Sequence, residues 1–392
     1  MTPPARMQAA IEIVEAVIAA ARGGAAAADT LIARYFRDRR YAGAKDRRAV
    51  RALVYAAIRR AGEMPASGRS ALVGLARDQP ELAALFDGSA HGPGPIAADE
   101  PVAAAGVVPG WLAERLGRTL PPGELRALLE RAPLDLRVNR LRTTPAALLP
   151  RLPGAVPGAL APDALRLPEG TQVERLPEWK AGLFEVQDEG SQCVVEACAA
   201  RPGMTVVDLC AGAGGKTLAL AAATAGEERL IACDVDRARL ARLLPRAARA
   251  GAYLIETRLL DGGREARALA DLEGVADVVL VDAPCSGSGT WRRNPEARWR
   301  LTPERLARTQ AQQAHVLALG AALVRPGGRL VYAVCSLLHE EGEGQLQAFL
   351  GATQGWSAIP LAFGREAGAG RLLTPAHDGT DGFFVACLER AC

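Results

Sequence analysis

An α/β fold with a doubly wound parallel sheet is predicted for the C-terminal half of this 392-residue chain, after an all-helical first third. Three observations predict it. From about residue 193, short apolar runs alternate with stretches of helical periodicity, the pattern of a parallel sheet with crossover helices. A glycine-rich turn, DLCAGAGGKT at 208–217, joins one of those runs to a helix. Residues 7–64 instead place apolar side chains three and four apart, as a helix face requires.

The N-terminal stretch MQAAIEIVEAVIAAARGGAAA superficially resembles a signal peptide. Glu12 and Glu15 interrupt its apolar run, and Ile11, Val14 and Ile18 fall at helical spacing, so it reads as an amphipathic helix. Further helices are predicted through residue 64, punctuated by Gly23-Gly24 and Gly43, and over 70–86. HGPGPIAADEP at 91–101 lacks periodicity and reads as a loop. A helical stretch at 108–131 is split by Pro121-Pro122.

The pattern then changes. LDLRVNRL (134–141) alternates apolar and polar residues, as a half-buried strand does. With a second strand at 183–188 it defines a small α+β subdomain. Strands follow at 204–209, 229–234, 253–259, 277–282 and 329–334. Helices are predicted over 215–224, 236–250, 264–271, 303–324 and 340–350. Runs such as VVLV suit strands buried on both faces. The predicted domains are 1–130, 131–192 and 193–392.

No uncharged apolar run approaches the roughly 18 residues that a membrane span needs. The eight cysteines form no C-x-x-C pair, which disfavours zinc, and a disulfide framework is not expected at this length. A cytoplasmic protein with no metal and no membrane partner is expected. The net charge is only +3. Residues 1–60, however, hold 12 Lys/Arg against 5 Asp/Glu, a net +7 that leaves −4 for the rest. Such a module suits either a polyanion or a solvated arginine face.

The glycine turn is no P-loop, because Cys210 stands where G-x-x-x-x-G-K-[ST] requires glycine. The spacing of Gly212, Gly214 and Gly215 also excludes G-x-G-x-x-G. Its glycines permit tight backbone geometry, and the N–H groups opening the next helix attract an anion. Asp234, Asp261 and Asp282 follow or end successive strands, on the side where doubly wound sheets bind ligands. Asp234 stands about where an acid accepts ribose hydroxyls, and Asp261 could face an adenine. One such Asp is often a helix cap; three in register with a glycine loop point to a nucleoside-type cofactor.

VDAPCSGSGTWRRNPE (281–296) and YAVCSLLHEEGE (332–343) each place a Cys-Ser pair at a strand end. Cys285 and Cys335 should therefore open into one crevice. A thiolate there is a strong nucleophile. The other cysteines read as small buried apolar residues.

On these residues the chain resembles the RsmB/Nop2/Sun RNA cytosine-5 methyltransferases. The resemblance covers residues 131–392. It includes LRVNRLRTT (136–144), FEVQDEGSQ (184–192), DLCAGAGGKT, DAPCSGSGTWRRNPE, VYAVCS and DGTDGFFVACLER (378–390). Ala213 departs from the family's usual proline. The first domain resembles the NusB-like RNA-binding domain of the family's bacterial 16S ribosomal RNA enzymes. The resemblance implies a Rossmann-like class I methyltransferase domain that uses S-adenosylmethionine, bound by Cys210, Ala211, Gly212, Ala213, Gly214, Gly215, Lys216, Asp234, Asp261 and Asp282.

It further implies that Cys335 attacks C6 of a cytosine and that Cys285 assists release. Asp282 would meet the base edge, while Lys216 either reaches the base or caps the glycine loop. Arg292, Arg293 and the basic first domain would contact phosphates, and Trp291 would stack on a base. Trp299 could stack or pack. A monomer acting on ribosomal RNA is expected. The competing readings are transfer RNA as substrate, a non-catalytic RNA-binding or ribosome-assembly factor, and a nucleotide-cofactor oxidoreductase.

Overall fold

The computed structural model describes residues 1–23, 26–121, 123–227 and 229–392. Gly24 of the Gly23-Gly24 pair and Pro122 of the Pro121-Pro122 pair lie outside the described residues. By contacts the chain forms two units, Met1–Arg131 with Thr290–Pro303, and Ala132–Gly289 with Glu304–Cys392.

The first unit is helical. Its main elements are α1 (Pro3–Gly23), α2 (Ala28–Arg37), α3 (Ala44–Arg60), α4 (Gly68–Asp78) and the shorter α5 (Gly110–Leu116). The apolar stripe of α1, with Val14, Val17 and Ile18, packs into one core with Val54 and Ile58 of α3 and Leu72 of α4. A side chain at Gly68 would collide with the backbone of α1 at Ile11, so glycine is required where α4 meets α1. Ser67 caps α4, its Oγ accepting from Ser70 N at 3.0 Å. The helix expected over 70–86 stops at Asp78, because Pro80 lacks the N–H to continue it; a 3₁₀ turn runs on to Leu85. Residues 91–101 form no helix or strand. Of the helix expected over 108–131, only Gly110–Leu116 and one turn at Glu124–Ala127 form among the described residues.

The second unit holds two sheets. The small one comprises β1 (Leu134–Val138), β2 (Val156–Pro157), β3 (Ala164–Leu167) and β4 (Phe184–Val186), antiparallel in the order β2-β3-β1-β4. Leu136, Val138, Leu165, Leu167 and Phe184 form its core.

The large sheet comprises β5 (Thr205–Asp208), β6 (Arg229–Asp234), β7 (Ile255–Leu259), β8 (Ala276–Asp282) and β9 (Val324–Val334), followed by β10 (Trp356–Ile359), β11 (Arg365–Ala367), β12 (Gly370–Leu373) and β13 (Phe383–Arg390). The order is β11-β12-β13-β9-β8-β5-β6-β7, and β10 also pairs with β13. The run from β7 to β9 is parallel, as expected. Val278–Val281 are fully buried, as strands covered on both faces must be. Order reverses between β5 and β8, which places the ligand crevice at their C-terminal ends.

The sequence reading omits the antiparallel extension. The terminal motif supplies β13, which pairs with β9 from Phe384↔Val334 to Glu389↔Arg329. The helix expected over 236–250 is two pieces, Arg237–Leu240 and Leu243–Ala250, and that over 264–271 is a single α-turn with a 3₁₀ turn. No helix among the described residues is long and apolar enough to cross a membrane.

Candidate active site

The two Cys-Ser turns meet because β8 and β9 are parallel neighbours, with Asp282 opposite Ala333. Cys285 lies three residues beyond the end of β8 and Cys335 one beyond β9. Their sulfurs are 3.3 Å apart. The hydrogen bond to Cys335 is the largest cause holding the Cys285 thiol well above its ordinary pKa; burial and the negative charge of Glu341 add to it.

Around the thiols lies a cavity of about 380 Å³. Its lining includes Leu209, Cys210, Asp234, Asp282, Cys285 and Cys335. The predicted cysteines and two of the three predicted acids thus share one cavity. Asp261 is exposed beyond β7 and is not part of the lining. Asp234 has work of its own, accepting from Gly212 N and Asp236 N, each at 2.7 Å. It therefore ties the glycine loop to the end of β6.

That loop runs from Cys210 through Ala211, Gly212, Ala213, Gly214 and Gly215 to Lys216, which lies in the first turn of the helix Gly215–Ala223. Gly212 and Gly214 have φ of +56° and +82°, where a side chain is strained, and a Cβ on Gly214 would also strike Leu243. Arg246 donates to Ala213 O at 2.6 Å and to Glu185 of β4 at 2.9 Å, bracing the loop at Ala213.

Lys216 donates to Asp282 at 2.7 Å. Burial works to lower its pKa, but the charge and hydrogen bond of Asp282 outweigh burial, and the net shift is upward. Lys216 therefore anchors Asp282, a partner neither sequence reading of this lysine names.

Four residues escape the sequence reading. Asp208, at the end of β5, is fully buried; it accepts from Thr217 Oγ1 at 2.6 Å, and burial pushes its carboxyl up to about 7. Its place immediately before the glycine turn is the available signal. Arg239 and Glu265 line the cavity from segments without a motif. Glu341, fully buried, bonds to both Cys-Ser turns.

The motif's second half corrects an expectation. Residues 290–303 belong to the helical unit. Trp291 is wholly buried and Arg292 nearly so, with Arg292 donating to Arg131 O at 3.2 Å. Burial denies the Trp291 ring to a stacked base and the Arg292 guanidinium to a phosphate. Arg293 is half-buried and makes interactions of its own. Trp299 packs in the helical core and donates to Ala61 O at 3.1 Å.

All eight cysteines are free. Burial pushes Cys193 and Cys233 up to about 12, Cys387 to about 11, and Cys198 and Cys210 well above the ordinary value, so these thiols stay protonated. Cys392 is exposed. Among the described residues, no group of three or more His, Cys, Asp or Glu side chains could hold a metal ion.

The sequence comparisons identify the family. The 16S rRNA methyltransferase RsmB/F family matches residues 195–389. The chain is 37% identical to the ribosomal RNA small subunit methyltransferase B of Xylella fastidiosa, over 71% of this chain and 68% of that protein. The chain belongs to the RsmB/F methyltransferase family. It is also 36% identical to the protein of the same name from Xanthomonas campestris, over 66% of this chain but only 60% of that protein's length. A solved structure of a methyltransferase homolog protein from Pyrococcus horikoshii is 28% identical with a TM-score of 0.63, covering 71% of this chain and 94% of that one. Membership accounts for the Rossmann-like α/β sheet.

Proposed function

We propose that this chain transfers a methyl group from S-adenosylmethionine to C5 of a cytosine in RNA, with 16S ribosomal RNA as the substrate. The observation that carries this reading is the pair of thiols 3.3 Å apart on a cavity that Asp234 and Asp282 also line. The family and the names of its relatives support ribosomal RNA as the substrate.

The cavity suits the cofactor. Its volume falls in the range of small-molecule sites, its lining includes Cys210 at the start of the glycine loop, and Asp234 and Asp282 also line it. Residues 210–216, Asp234 and Asp282 would hold S-adenosylmethionine, which when bound supplies the methyl group. Asp261 would join them only by moving toward the cavity.

Cytosine C5 is too electron-poor to be methylated directly, and covalent catalysis removes that obstacle. Cys335 attacks C6, and C5 then carries enamine-like electron density that takes the methyl group. Loss of the C5 proton and expulsion of Cys335 restore the ring, with Cys285 acting as, or through, the base. Asp282, held by Lys216, faces the base edge. A cytosine reaches such a site only from a looped or opened segment. The first 130 residues serve as the NusB-like RNA-binding module. Exposed Arg34, Arg37, Arg40, Lys45, Arg47, Arg48 and Arg51 give it the charge to hold phosphates.

The test is methyl transfer to 16S RNA from a strain lacking the protein. Cys335→Ala should lose transfer by at least about 10³-fold while still binding cofactor. Cys285→Ala should accumulate an RNA–protein adduct that survives denaturing electrophoresis. Bisulfite sequencing of the deletion strain should show one 16S cytosine unmodified. Full transfer by Cys335→Ala would overturn the chemistry; a missing modification in transfer RNA alone would overturn the substrate.

A further inference from the structure

The carboxylate of Glu341 is fully buried and accepts four hydrogen bonds from neutral donors. Oε1 accepts from Ser286 N at 2.8 Å and from Gln313 Nε2 at 3.0 Å. Oε2 accepts from Ser336 Oγ at 2.6 Å and from Ser286 Oγ. Each of these serines directly follows one of the site cysteines. One carboxylate thus grips the turn after Cys285 and the turn after Cys335.

The remaining bonds hold the same parts. Tyr332 donates to the Glu341 carbonyl at 2.6 Å, fixing its backbone to β9. Gln313 also donates to Pro284 O at 2.9 Å, just ahead of Cys285. Ser288 Oγ bonds to Ser336 Oγ at 3.0 Å and accepts from Leu337 N at 2.9 Å, and Gly289 N donates to Cys335 O at 3.0 Å.

A buried carboxylate costs several kcal/mol to desolvate unless donors surround it. A clamp meant only to join two loops could use neutral groups. The negative charge has a second consequence, because it faces Cys285 and adds to the forces that keep this thiol protonated.

We propose that Glu341 is a positioning residue for the reaction proposed above, setting the separation of the two thiols. The inference rests on that reaction. It goes further in placing a determinant of the chemistry outside the cavity, on a residue that touches neither base nor cofactor. Glu341→Gln preserves the shape. Its amide oxygen still accepts from Ser286 N and Gln313, while its NH₂ forces both serine hydroxyls to turn round and accept. Glu341→Asp keeps the charge but shortens the reach by one methylene.

The experiment compares the full-length native chain with Glu341→Gln, Glu341→Asp and Ser336→Ala. Single-turnover methyl transfer, KM for RNA and for S-adenosylmethionine, thermal midpoint, and the alkylation rate of Cys285 followed by mass spectrometry are measured. Misplacing reacting groups by about 1 Å costs about 10²-fold, so Glu341→Gln should lower the transfer rate by about that factor. Both KM values should stay within about twofold, and Cys285 should alkylate faster.

Ser336→Ala should lose about tenfold, and Ser336→Ala in the Glu341→Gln background should lose little more, since both act through one contact. If Glu341→Gln does not fold, Ser336→Ala alone carries the test. A purely structural role predicts a lower midpoint with an unchanged rate per folded molecule and unchanged Cys285 alkylation, and that result overturns the proposal. A native chain that transfers no methyl group, or whose transfer survives Cys335→Ala, defeats the proposed function instead.

Discussion

The two halves of VDAPCSGSGTWRRNPE are continuous in sequence and belong to different units. Residues 281–289 end β8, carry Cys285 and bond through Ser286 and Ser288 to the neighbouring turn. Residues 290–296 lie in the helical unit, where Trp291 is buried, Glu296 accepts from Ala28 N at 2.9 Å and Ala297 N donates to Asn294 O. Arg298, just beyond, is fully buried and donates to Ile58 O at 2.6 Å and Ala61 O at 2.7 Å. The first half joins the two cysteine-bearing turns, and the second belongs to the helical unit. A motif can therefore combine two roles, and its charged and aromatic residues need not share the task of its cysteine.

The sharpest way to break this comparison is to substitute one residue from each half. Trp291→Ala removes a whole buried indole and should destabilise the helical unit by about 3–5 kcal/mol, the range for large aromatic-to-alanine changes in cores. Cys285→Ser, six residues earlier, should change stability by less than about 1 kcal/mol while impairing turnover. Urea unfolding followed by circular dichroism measures both. If Trp291→Ala is as stable as the native chain and instead weakens RNA binding, the division between the halves is wrong.

The contrast also explains what could be read without coordinates. The parallel strands, the glycine turn and the two Cys-Ser strand ends are written in short contiguous patterns, and geometry places them as expected. Trp291 reads as a base contact because a Trp-Arg-Arg string looks like a nucleic-acid contact, and its complete burial appears only in the folded chain. Glu341 is equally hidden in the sequence. In LHEEGE it resembles a solvated helix start, while its partners Ser286 and Gln313 lie 55 and 28 residues upstream. The antiparallel strands β10 to β13 escaped because their short runs carry no crossover helix to announce them.

Buried charge separates the two regions as well. Arg298 sits among backbone carbonyls, and burial lowers its pKa to about 9, so it remains charged at neutral pH. Asp208 is buried behind the glycine loop with one carboxylate oxygen bonded to Thr217 and the other, Oδ1, without a partner. Burial raises its pKa from 3.8 to about 7, so the folded chain holds this proton more tightly than the unfolded one does. The stabilisation that proton brings is complete below about pH 3.8 and is lost as the pH rises to about 7. It amounts to at most about 4 kcal/mol. Asp208→Asn should remove that part of the pH dependence, so native and variant stabilities should diverge between pH 4 and 7, with the variant gaining on the native chain. Parallel stability curves over that window would place the Asp208 charge elsewhere.

The finest test uses serines of equal size. Ser67 and Ser70 cap α4 reciprocally over three residues, with Ser70 N donating to Ser67 Oγ at 3.0 Å and Ser67 N to Ser70 Oγ at 3.1 Å. Ser288 instead joins turns 48 and 49 residues apart, bonding Ser336 Oγ and accepting from Leu337 N. Removing a capping hydroxyl costs about 1 kcal/mol, and removing a buried hydrogen bond costs about the same. Ser67→Ala and Ser288→Ala should therefore lower the thermal midpoint by similar amounts. Methyl transfer per folded molecule should fall only for Ser288→Ala, because only that hydroxyl holds the turn of Cys335 against the turn of Cys285. Equal rates for the two variants would show that the serine network supports the fold alone, and the separation between a chemical and a packing region would then rest on the cysteines themselves.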